Sequence, residues 1–409
     1  MGGIRAPLGL GIAALRSRFG GVADFVNRHA CGRGITTALA VLLVGAGCVF
    51  GQSWKNQGEF DLYTAITKEA DAHKKLELLD QWRAKYPESE FQRNRLSFYI
   101  NVYQQLKDNR KIVETLEEIE ALAPKDDEVK KGLMLFILEC NNPDPFFLAS
   151  GERAAASLIG GPLEGLAHTM LGWVAMNRKD AGEAEREFRL SLKSDPNAAQ
   201  VDIWLGNLLR ARKTPEGMSQ ALFFYARVAS IDGPARAEYE KFVRKVYDGY
   251  HGADEAGFSA LTAMAKESAF PPEGFLIPSA AAIAEEKQKE FESAHPQLAL
   301  WTKLKAALTA PNGAAYFESS MKGAEVPGGA GGVQCFKAIV IVARLKELTV
   351  GISDRKTAEV VLKLDGPLAV RPAPGTEIEF SGVPEAFTSD PFLVTFAARR
   401  AEIKGLKTH

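Results

Sequence analysis

One short stretch of the sequence carries a hydroxyl and an amine at a spacing that could support covalent catalysis. Ser319 and Lys322 lie three positions apart, so on one helical turn the lysine amine could activate the serine hydroxyl for acyl transfer. That chemistry also requires Ser-Asp-Asn and Lys-Thr-Gly elements elsewhere in the chain. Neither occurs, and Lys356-Thr357-Ala358 has alanine in place of the glycine. We therefore interpret the Ser319–Lys322 match as chance.

Two further stretches could bind a metal ion or a phosphate group. His251, Asp254 and Glu255 would share one helical turn, but no second histidine is nearby in the sequence to complete a metal site. The run Gly328–Gly332 lacks the lysine and the helix start that a phosphate-binding loop needs. We therefore predict no catalytic residues, no cofactor and no metal, and we expect a protein that is not an enzyme.

The composition is that of an ordinary globular chain. Its 409 residues are enough for two or three domains, and the net charge of −1 implies no global attraction to nucleic acid or to an anionic membrane. The four cysteines are too few and too scattered to form a disulfide framework. A bridge between Cys140 and Cys335 is the one pairing left open, and it would have to join two different domains.

Residues 1–51 are predicted to be a leader. Arg28 and Arg33 precede an uncharged run, Gly34–Trp54, and a basic flank followed by an apolar run is typical of a secretory signal. Cleavage after Gly51 is the favoured interpretation. An uncleaved membrane anchor and a lipoprotein site at Cys48 are alternatives. Each of the three predicts an extracytoplasmic location, periplasmic or secreted, for the rest of the chain, with membrane attachment possible through the N-terminus.

Residues 52–250 have the apolar spacing of paired helices separated by short breaks. We predict about five helical pairs, followed by a capping helix at Ala235–Tyr250. The first three pairs are predicted at Asp61–Ala70 with His73–Tyr86, Glu90–Leu106 with Arg110–Leu122, and Asp126–Cys140 with Gly151–Ile159. The fourth pair falls within Gly165–Ala198, and the fifth begins at Ala199. Each pair can bury its apolar face only against its neighbours.

The fourth pair has the most distinctive pattern. Its diagnostic positions are Leu171-Gly172, Ala175, Ala184, Phe188 and Pro196. Gly172 and Ala184 are small enough for two helices to cross closely, Phe188 fills the gap beside them, and Pro196 ends the second helix. This spacing resembles the tetratricopeptide repeat (TPR), a helix-turn-helix unit of about 34 residues.

The fifth pair repeats part of the same pattern. Leu205-Gly206 follows Leu171-Gly172 by 34 positions, and Ala221 and Tyr225 take the places of Ala184 and Phe188. The resemblance to TPR proteins implies an α-α superhelix whose first helices line a concave, partner-binding surface. It names no particular ligand, because fold alone does not determine function.

The same resemblance indicates which side chains face a protein or peptide in the concave groove. The candidate positions are Thr169, Trp173, Met176, Asn177, Ile203, Asn207 and Arg210. Trp173 and Arg210 could grip an extended peptide, through aromatic contact area and a charged hydrogen bond. The alternative is that Trp173 packs against the adjacent repeat, since tryptophan is highly buried on average.

The pattern changes after residue 250. Residues 251–332 are predicted to be a helical linker ending in a flexible glycine-rich hinge, and residues 333–409 change to the period-two pattern of strands. Five strands are predicted, at Phe336–Ala343, Glu347–Ser353, Ala358–Asp365, Thr376–Gly382 and Phe392–Ala398. Their order resembles a small oligonucleotide/oligosaccharide-binding (OB) barrel.

Nucleic acid is not an expected ligand of this barrel. Single-strand binding needs aromatic side chains on the second and third strands, which have none, and a basic groove, whereas strongly basic clusters are absent apart from Arg399-Arg400. We therefore predict a mainly α, extracytoplasmic scaffold whose TPR groove binds a protein or peptide within a bacterial envelope assembly. The alternative function is a carbohydrate- or cell-wall-binding module that uses the C-terminal barrel.

Overall fold

A computed structural model describes residues 54–231 and 236–406, so the predicted leader at 1–51 lies outside the described residues. The chain divides into two compact units between Ser279 and Ala280. The segment 251–332, predicted to be a linker, is thereby shared between the two units. Neither Cys140 nor Cys335 takes part in a disulfide bond, so the bridge left open by the sequence does not form.

The first unit is helical throughout the part that the structure describes. Its helices are α1 (Gln57–Lys68), α2 (Ala72–Lys85), α3 (Gln92–Leu106), α4 (Asn109–Leu122), α5 (Asp127–Cys140), α6 (Pro145–Ala156), α7 (Glu164–Asn177), α8 (Ala181–Ser194), α9 (Ala199–Arg210), α10 (Pro215–Ser230), α11 (Arg236–Tyr250) and α12 (Glu255–Glu267). Each helix from α1 to α10 packs against the next, and α4 with α6, α5 with α7 and α10 with α12 also pack. This is a helical-repeat arrangement, in which α1 to α10 form the five predicted pairs.

The turn within a pair follows a recurrent local design. Left-handed backbone conformations occur at Lys107, Asn141, Lys179 and Lys213. Asn141 follows Lys107 by 34 positions, and Lys213 follows Lys179 by the same distance. In three of these turns the next residue caps the second helix: Asp108, Asp180 and Thr214 accept hydrogen bonds from backbone N–H groups three residues on. The sixth helix was predicted to begin at Gly151, but the cap at Asp144 and Pro145 at the first helical position start it earlier.

The predicted close approach of the two helices in the fourth pair is confirmed. A Cβ atom added at Gly172 would lie 2.5 Å from Cδ1 of Phe188, and one added at Gly206 would lie 2.6 Å from Cε1 of Tyr225. Phe188 and Tyr225 are fully or almost fully buried. Glycine therefore sets the distance between the two helices in the fourth and fifth pairs, because any side chain would displace an aromatic ring.

Replacing Gly172 by alanine tests this constraint. Alanine is favoured over glycine in a helix by about 1 kcal/mol. We nevertheless expect Gly172→Ala to lower the free energy of unfolding by about 1–3 kcal/mol, because overpacking forces Phe188 out of place. Gly249→Ala is the control, since nothing lies within 4 Å of its added Cβ atom. Urea denaturation followed by circular dichroism measures both changes, and a Gly172→Ala protein as stable as wild type would contradict the expectation.

The second unit combines helices and a sheet. Its α-helices and strands in the described residues are α13 (Ala280–Ala294), α14 (Pro296–Thr309), the short α15 (Gly313–Tyr316), β1 (Phe336–Ala343), β2 (Glu347–Gly351), β3 (Val360–Leu364), β4 (Glu377–Phe380), β5 (Val383–Ser389) and β6 (Phe392–Ala398). The strand order is β4-β1-β2-β3-β6-β5, and β3 and β6 are parallel while all other neighbours are antiparallel.

The sheet corrects the predicted five-stranded barrel in two respects. It has six strands in the described residues, and it is not closed, because β4 and β5 at its two edges do not pair with each other. Strand β5 was missed because Pro384 and Glu385 interrupt its period-two pattern, at a register shift between Pro384 and Ala386. The bounds of β1 and β6 are as predicted.

The glycine-rich run, predicted to be a flexible hinge, lies inside the second unit. It forms a series of hydrogen-bonded turns in which Gly329 N–H donates to the carbonyl of Val333 at 3.0 Å and Gly332 N–H donates to the carbonyl of Gly329. Gly328, Gly329, Gly331 and Gly332 all have positive φ values. The glycines are therefore required by left-handed turns.

A buried carboxylate holds α14 to the sheet. Glu359 is 1% exposed and accepts hydrogen bonds from Lys305 Nζ at 2.7 Å, from the Ser353 N–H and hydroxyl groups, and from the Ile352 N–H group. Burial alone would raise the pKa of Glu359, but these hydrogen bonds together lower it below the usual glutamate value. The carboxylate is thus fully partnered, and it joins a helix, a loop and a strand edge.

Replacing Glu359 by glutamine removes that charge. We expect Glu359→Gln to destabilise the second unit by roughly 2 kcal/mol at neutral pH, as for lost hydrogen bonds to a charged group. Because the folded-state pKa lies below the unfolded value, the deficit is full above the usual glutamate pKa and shrinks as the pH falls through the folded-state pKa. Fluorescence of the buried Trp301 during urea denaturation reports the change.

The exposed pair of Lys363 and Glu385 supplies the matched control. Exposed ion pairs contribute little, so Glu385→Gln should leave the denaturation midpoint nearly unchanged. Equal effects of Glu359→Gln and Glu385→Gln would show that the buried carboxylate does not hold α14 in place.

Candidate binding groove

A groove of about 930 Å³ opens on the helical unit, between the first helices of the last two pairs and α11. The residues that line it come mainly from α7, α9, α10 and α11. They are Asn141, Met176, Asn177, Gln200, Ile203, Trp204, Asn207, Arg210, Lys213, Thr214, Pro215, Met218, Tyr225, Val228, Tyr239, Phe242, Lys245, Val246, Gly249, Tyr250 and Ser279. Its volume lies within the range of small-molecule and peptide side-chain sites.

The groove brings together most of the residues that the sequence nominated. Five of the seven candidates line it: Met176, Asn177, Ile203, Asn207 and Arg210. The first two lie at the end of α7, and the other three lie along α9 at helical spacing. Residues from successive repeats therefore form one continuous surface.

Trp173 and Thr169 do not line the groove. Trp173 is fully buried, and its Nε1–H donates to Asn141 Oδ1 at 3.1 Å, so it packs between repeats and cannot grip a ligand directly. Thr169 donates to the Gly165 carbonyl or shares a hydrogen bond with Ser191 Oγ, inside its own helical pair. The alternative interpretation of Trp173, packing against the neighbouring repeat, is the one that the geometry fits.

Three asparagine side chains that line the groove each have one end of the amide engaged in a hydrogen bond. Asn141 Oδ1 accepts from Trp173, and Asn207 Oδ1 accepts from the Tyr225 hydroxyl at 2.7 Å. Asn177 uses its Nδ2 group, which donates to the carbonyl of Trp173 at 2.9 Å. Asn141 and Asn207 are thus left with amide donors and Asn177 with an acceptor, a combination suited to a peptide backbone.

The charge on the groove wall is one-sided. Arg210, Lys213 and Lys245 line it, and none of its lining residues in the described chain is an aspartate or a glutamate. Tyr250 adds a hydroxyl that is buried and makes no hydrogen bond. Burial raises the pKa of Tyr250, so this group stays a neutral donor. A groove that is lined by three cations and holds a buried, unpaired hydroxyl favours an anionic, hydrogen-bonding ligand.

Sequence reasoning missed the apolar side chains that also line the groove. Trp204 lines the groove and stacks on Phe188 with ring centroids 5.6 Å apart, and Met218 and Phe242 add further apolar surface. Trp204 precedes Asn207 by three positions, a spacing that places both on one helical face. The helix at Ala235–Tyr250, predicted to be a cap, supplies Phe242 and Lys245 and so forms a wall of the groove as α11.

A buried ion pair supports the helices beneath the groove. Arg227 Nε donates to Asp202 Oδ1 at 3.3 Å, and the same guanidinium donates to the carbonyls of Ala265, Ser268 and Pro196. These contacts join α9, α10 and the end of α12. Asp202 Oδ2 is buried without a partner, and burial raises the pKa of Asp202 to about 7, although Arg227 opposes that shift.

The raised pKa of Asp202 predicts an unusual pH dependence. The folded state holds this proton up to about pH 7, whereas the unfolded chain releases it near its ordinary value of 3.8. The stability that Asp202 contributes therefore falls as the pH rises from 3.8 to about 7, and it stays constant above that range. We expect Asp202→Asn, which cannot ionise, to gain stability relative to wild type between pH 5 and pH 8, as measured by urea midpoints at the two pH values. If the stability difference between Asp202→Asn and wild type is the same at pH 5 and at pH 8, the raised pKa of Asp202 is contradicted.

The residues first considered for chemistry do not converge. Lys322 Nζ pairs with Glu318 at 2.9 Å, and Ser319 Oγ contacts Ser320 Oγ. His251 Nε2 lies 3.4 Å from Asp254 Oδ2, but its Nδ1 contacts the carbonyl of Pro278, and Glu255 pairs with Arg244 instead of joining them. Within the residues that the structure describes, no group of three or more potential ligands could hold a metal ion.

The sheet unit presents few groups that would stack on a sugar or a base. Phe336, Phe380 and Phe396 are fully buried, and Phe387 and Phe392 are half-buried. No strand of the described sheet therefore has a fully exposed aromatic side chain. Exposed aromatic rings would favour the carbohydrate-binding alternative. These strands offer no such ring on which a sugar could stack.

Comparison with models of known protein families and with curated proteins gives no match to this chain. In the described residues none of the helices combines the length and apolarity needed to span a bilayer.

Proposed function

We propose that the helical unit is a TPR-type scaffold that binds an extended peptide segment of a partner protein in the groove, without catalysis. The spacing of Gly172 and Gly206, each against an aromatic ring of the second helix, supports the TPR assignment. So does the 34-residue recurrence of left-handed turns at Lys179 and Lys213. The single observation that carries the function is a cationic, acid-free groove with an apolar wall.

The ligand we infer has a large apolar side chain next to an acidic residue. Trp204, Met218 and Phe242 would bury the apolar side chain, and burial of one such group stabilises binding by about 1.5–3 kcal/mol. Lys213 and Lys245 would attract the carboxylate, which supplies orientation and a faster encounter. The asparagine amides would hydrogen-bond the peptide backbone, and this recognition is independent of side-chain sequence.

We further propose that the sheet unit is OB-like and docks a second surface of the same assembly. Only Ser381 and Gly382 separate β4 from β5. If β4 and β5 are counted as one bent strand, the sheet has five strands, as an OB fold does, although its two edges do not pair. A Cβ atom at Gly382 would lie 2.7 Å from the carbonyl oxygen of Ala397, so the bend requires glycine. The leader pattern supports an extracytoplasmic envelope location.

Selection from a random peptide library tests the function. We expect the full chain to enrich peptides with an acidic residue beside a large apolar one. The variant Lys213→Glu with Lys245→Glu should bind the selected peptides at least about tenfold more weakly, because two attractive charges become repulsive. Fluorescence anisotropy with a labelled selected peptide measures this loss.

Lys193→Glu with Lys241→Glu is the matched control. Lys193 is exposed on α8, Lys241 is exposed on α11 one turn before Lys245, and neither lines the groove. The control carries the same net charge change and should bind as wild type does. The proposal fails if both double variants bind equally, or if the enriched peptides are basic or lack an apolar residue.

A further inference from the structure

One end of the sheet in the second unit carries an exposed patch that the groove does not involve. The β1–β2 turn at 344–346 and the loop at 366–372 meet there: Leu368 N–H donates to the Leu345 carbonyl at 2.8 Å, and Leu364 N–H donates to the Lys346 carbonyl at 3.0 Å. We call this end, formed by residues 342–346 and 366–372, the sheet tip.

The sheet tip exposes three large apolar side chains. Val342 is 44%, Leu345 is 52% and Val370 is 42% exposed. Leu368, in the same loop, is buried and joins the core of the sheet. The loop that carries Val370 is therefore anchored to the core, although the three apolar side chains remain largely exposed to water.

Cations surround these apolar side chains. Arg344 and Lys346 flank Leu345, and Arg371 follows Val370. Arg344 pairs with Glu347, but no carboxylate pairs with Lys346 or Arg371 among the described residues. Arg400 lies beside the tip, where its Nη1 donates to the Pro367 carbonyl at 2.9 Å. Residues 342–346 and 366–372 contain no aspartate or glutamate.

We propose that the sheet tip binds an anionic lipid surface. Leu345 and Val370 would enter the boundary between headgroups and acyl chains, while Lys346 and Arg371 would contact lipid phosphates and Arg344 would lie beside them. The chemistry favours a membrane over nucleic acid, because the sheet tip has no aromatic side chain on which a base could stack. Three aliphatic side chains are also too small a patch for a standard protein interface.

This binding is independent of the peptide groove and of the leader. It uses two loops of the sheet unit, so it would hold whether or not the N-terminal segment is retained. Because lipid phosphates attract each nearby cation, the affinity should fall as salt increases.

Vesicle co-sedimentation of the full chain is the first test, with phosphatidylcholine alone or mixed with phosphatidylglycerol. We expect preferential binding to the anionic vesicles. Lys346→Glu with Arg371→Glu should lower that affinity by at least about tenfold, given the free energy of each basic residue near such a surface. Leu345→Ser with Val370→Ser should also weaken binding, although it leaves the charge unchanged.

Lys337→Glu with Lys356→Glu is the charge-matched control. Both lysines are exposed at the opposite end of the strands, Lys337 near the start of β1 and Lys356 in the β2–β3 loop. This variant should bind anionic vesicles as wild type does. If it loses as much affinity as the tip variant, the attraction belongs to the overall charge and the proposal is wrong.

A second measurement keeps the test decisive if the leader alone holds every variant on vesicles. In Leu345→Trp, the added tryptophan emission should be quenched by brominated lipid in anionic vesicles, and less so when Lys346 and Arg371 are glutamates. Absence of quenching would overturn the proposal. A tip that binds single-stranded oligothymidylate equally well, and is insensitive to Leu345→Ser with Val370→Ser, would be a general anion site, and that result would also overturn it.

Discussion

The distance between α9 and α10 at Gly206 is the constraint on which the groove depends. The ring of Tyr225 occupies the space where a side chain at position 206 would be, and its hydroxyl then reaches Asn207 Oδ1 at 2.7 Å. Tyr225 thus connects the packing of α9 against α10 to the orientation of the Asn207 side-chain amide in the groove. The same relation holds one repeat earlier, where Phe188 covers Gly172 and also stacks on Trp204, the main aromatic residue of the groove. A larger residue at either glycine would therefore change the binding surface as well as the core.

The interior of the helical unit also supplies the polar character of the groove. Trp173 contributes no surface to a ligand, yet its ring N–H and its carbonyl orient Asn141 and Asn177. Arg227 is buried, and it hydrogen-bonds Asp202 and three carbonyl groups that belong to different helices or their ends. A ligand would therefore meet side chains whose positions are set before it binds, which lowers the entropy lost on association.

How much the sequence could predict differs between the two units. The helical pairs and five of the residues that line the groove were predictable, because the spacing of Gly172, Phe188 and Gly206 follows from how two helices pack. The participation of α11 in the groove was not predictable. An amphipathic terminal helix has the same sequence pattern whether it caps a stack of repeats or forms a groove wall. In the sheet unit, β5 was hidden because a proline and a register shift remove the alternation on which strand prediction depends. Burial decided the role of Trp173, and burial cannot be known from spacing alone.

The most direct measurement of the central claim is the fluorescence of Trp204 during titration with a selected acidic, apolar peptide. Trp204 is the only tryptophan that lines the groove in the described chain. The account predicts that the peptide shifts the tryptophan emission, and that Trp204→Phe abolishes the shift while the variant still competes for labelled peptide. If the same shift persists in Trp204→Phe, the peptide binds elsewhere, and the groove is not the working site of this protein.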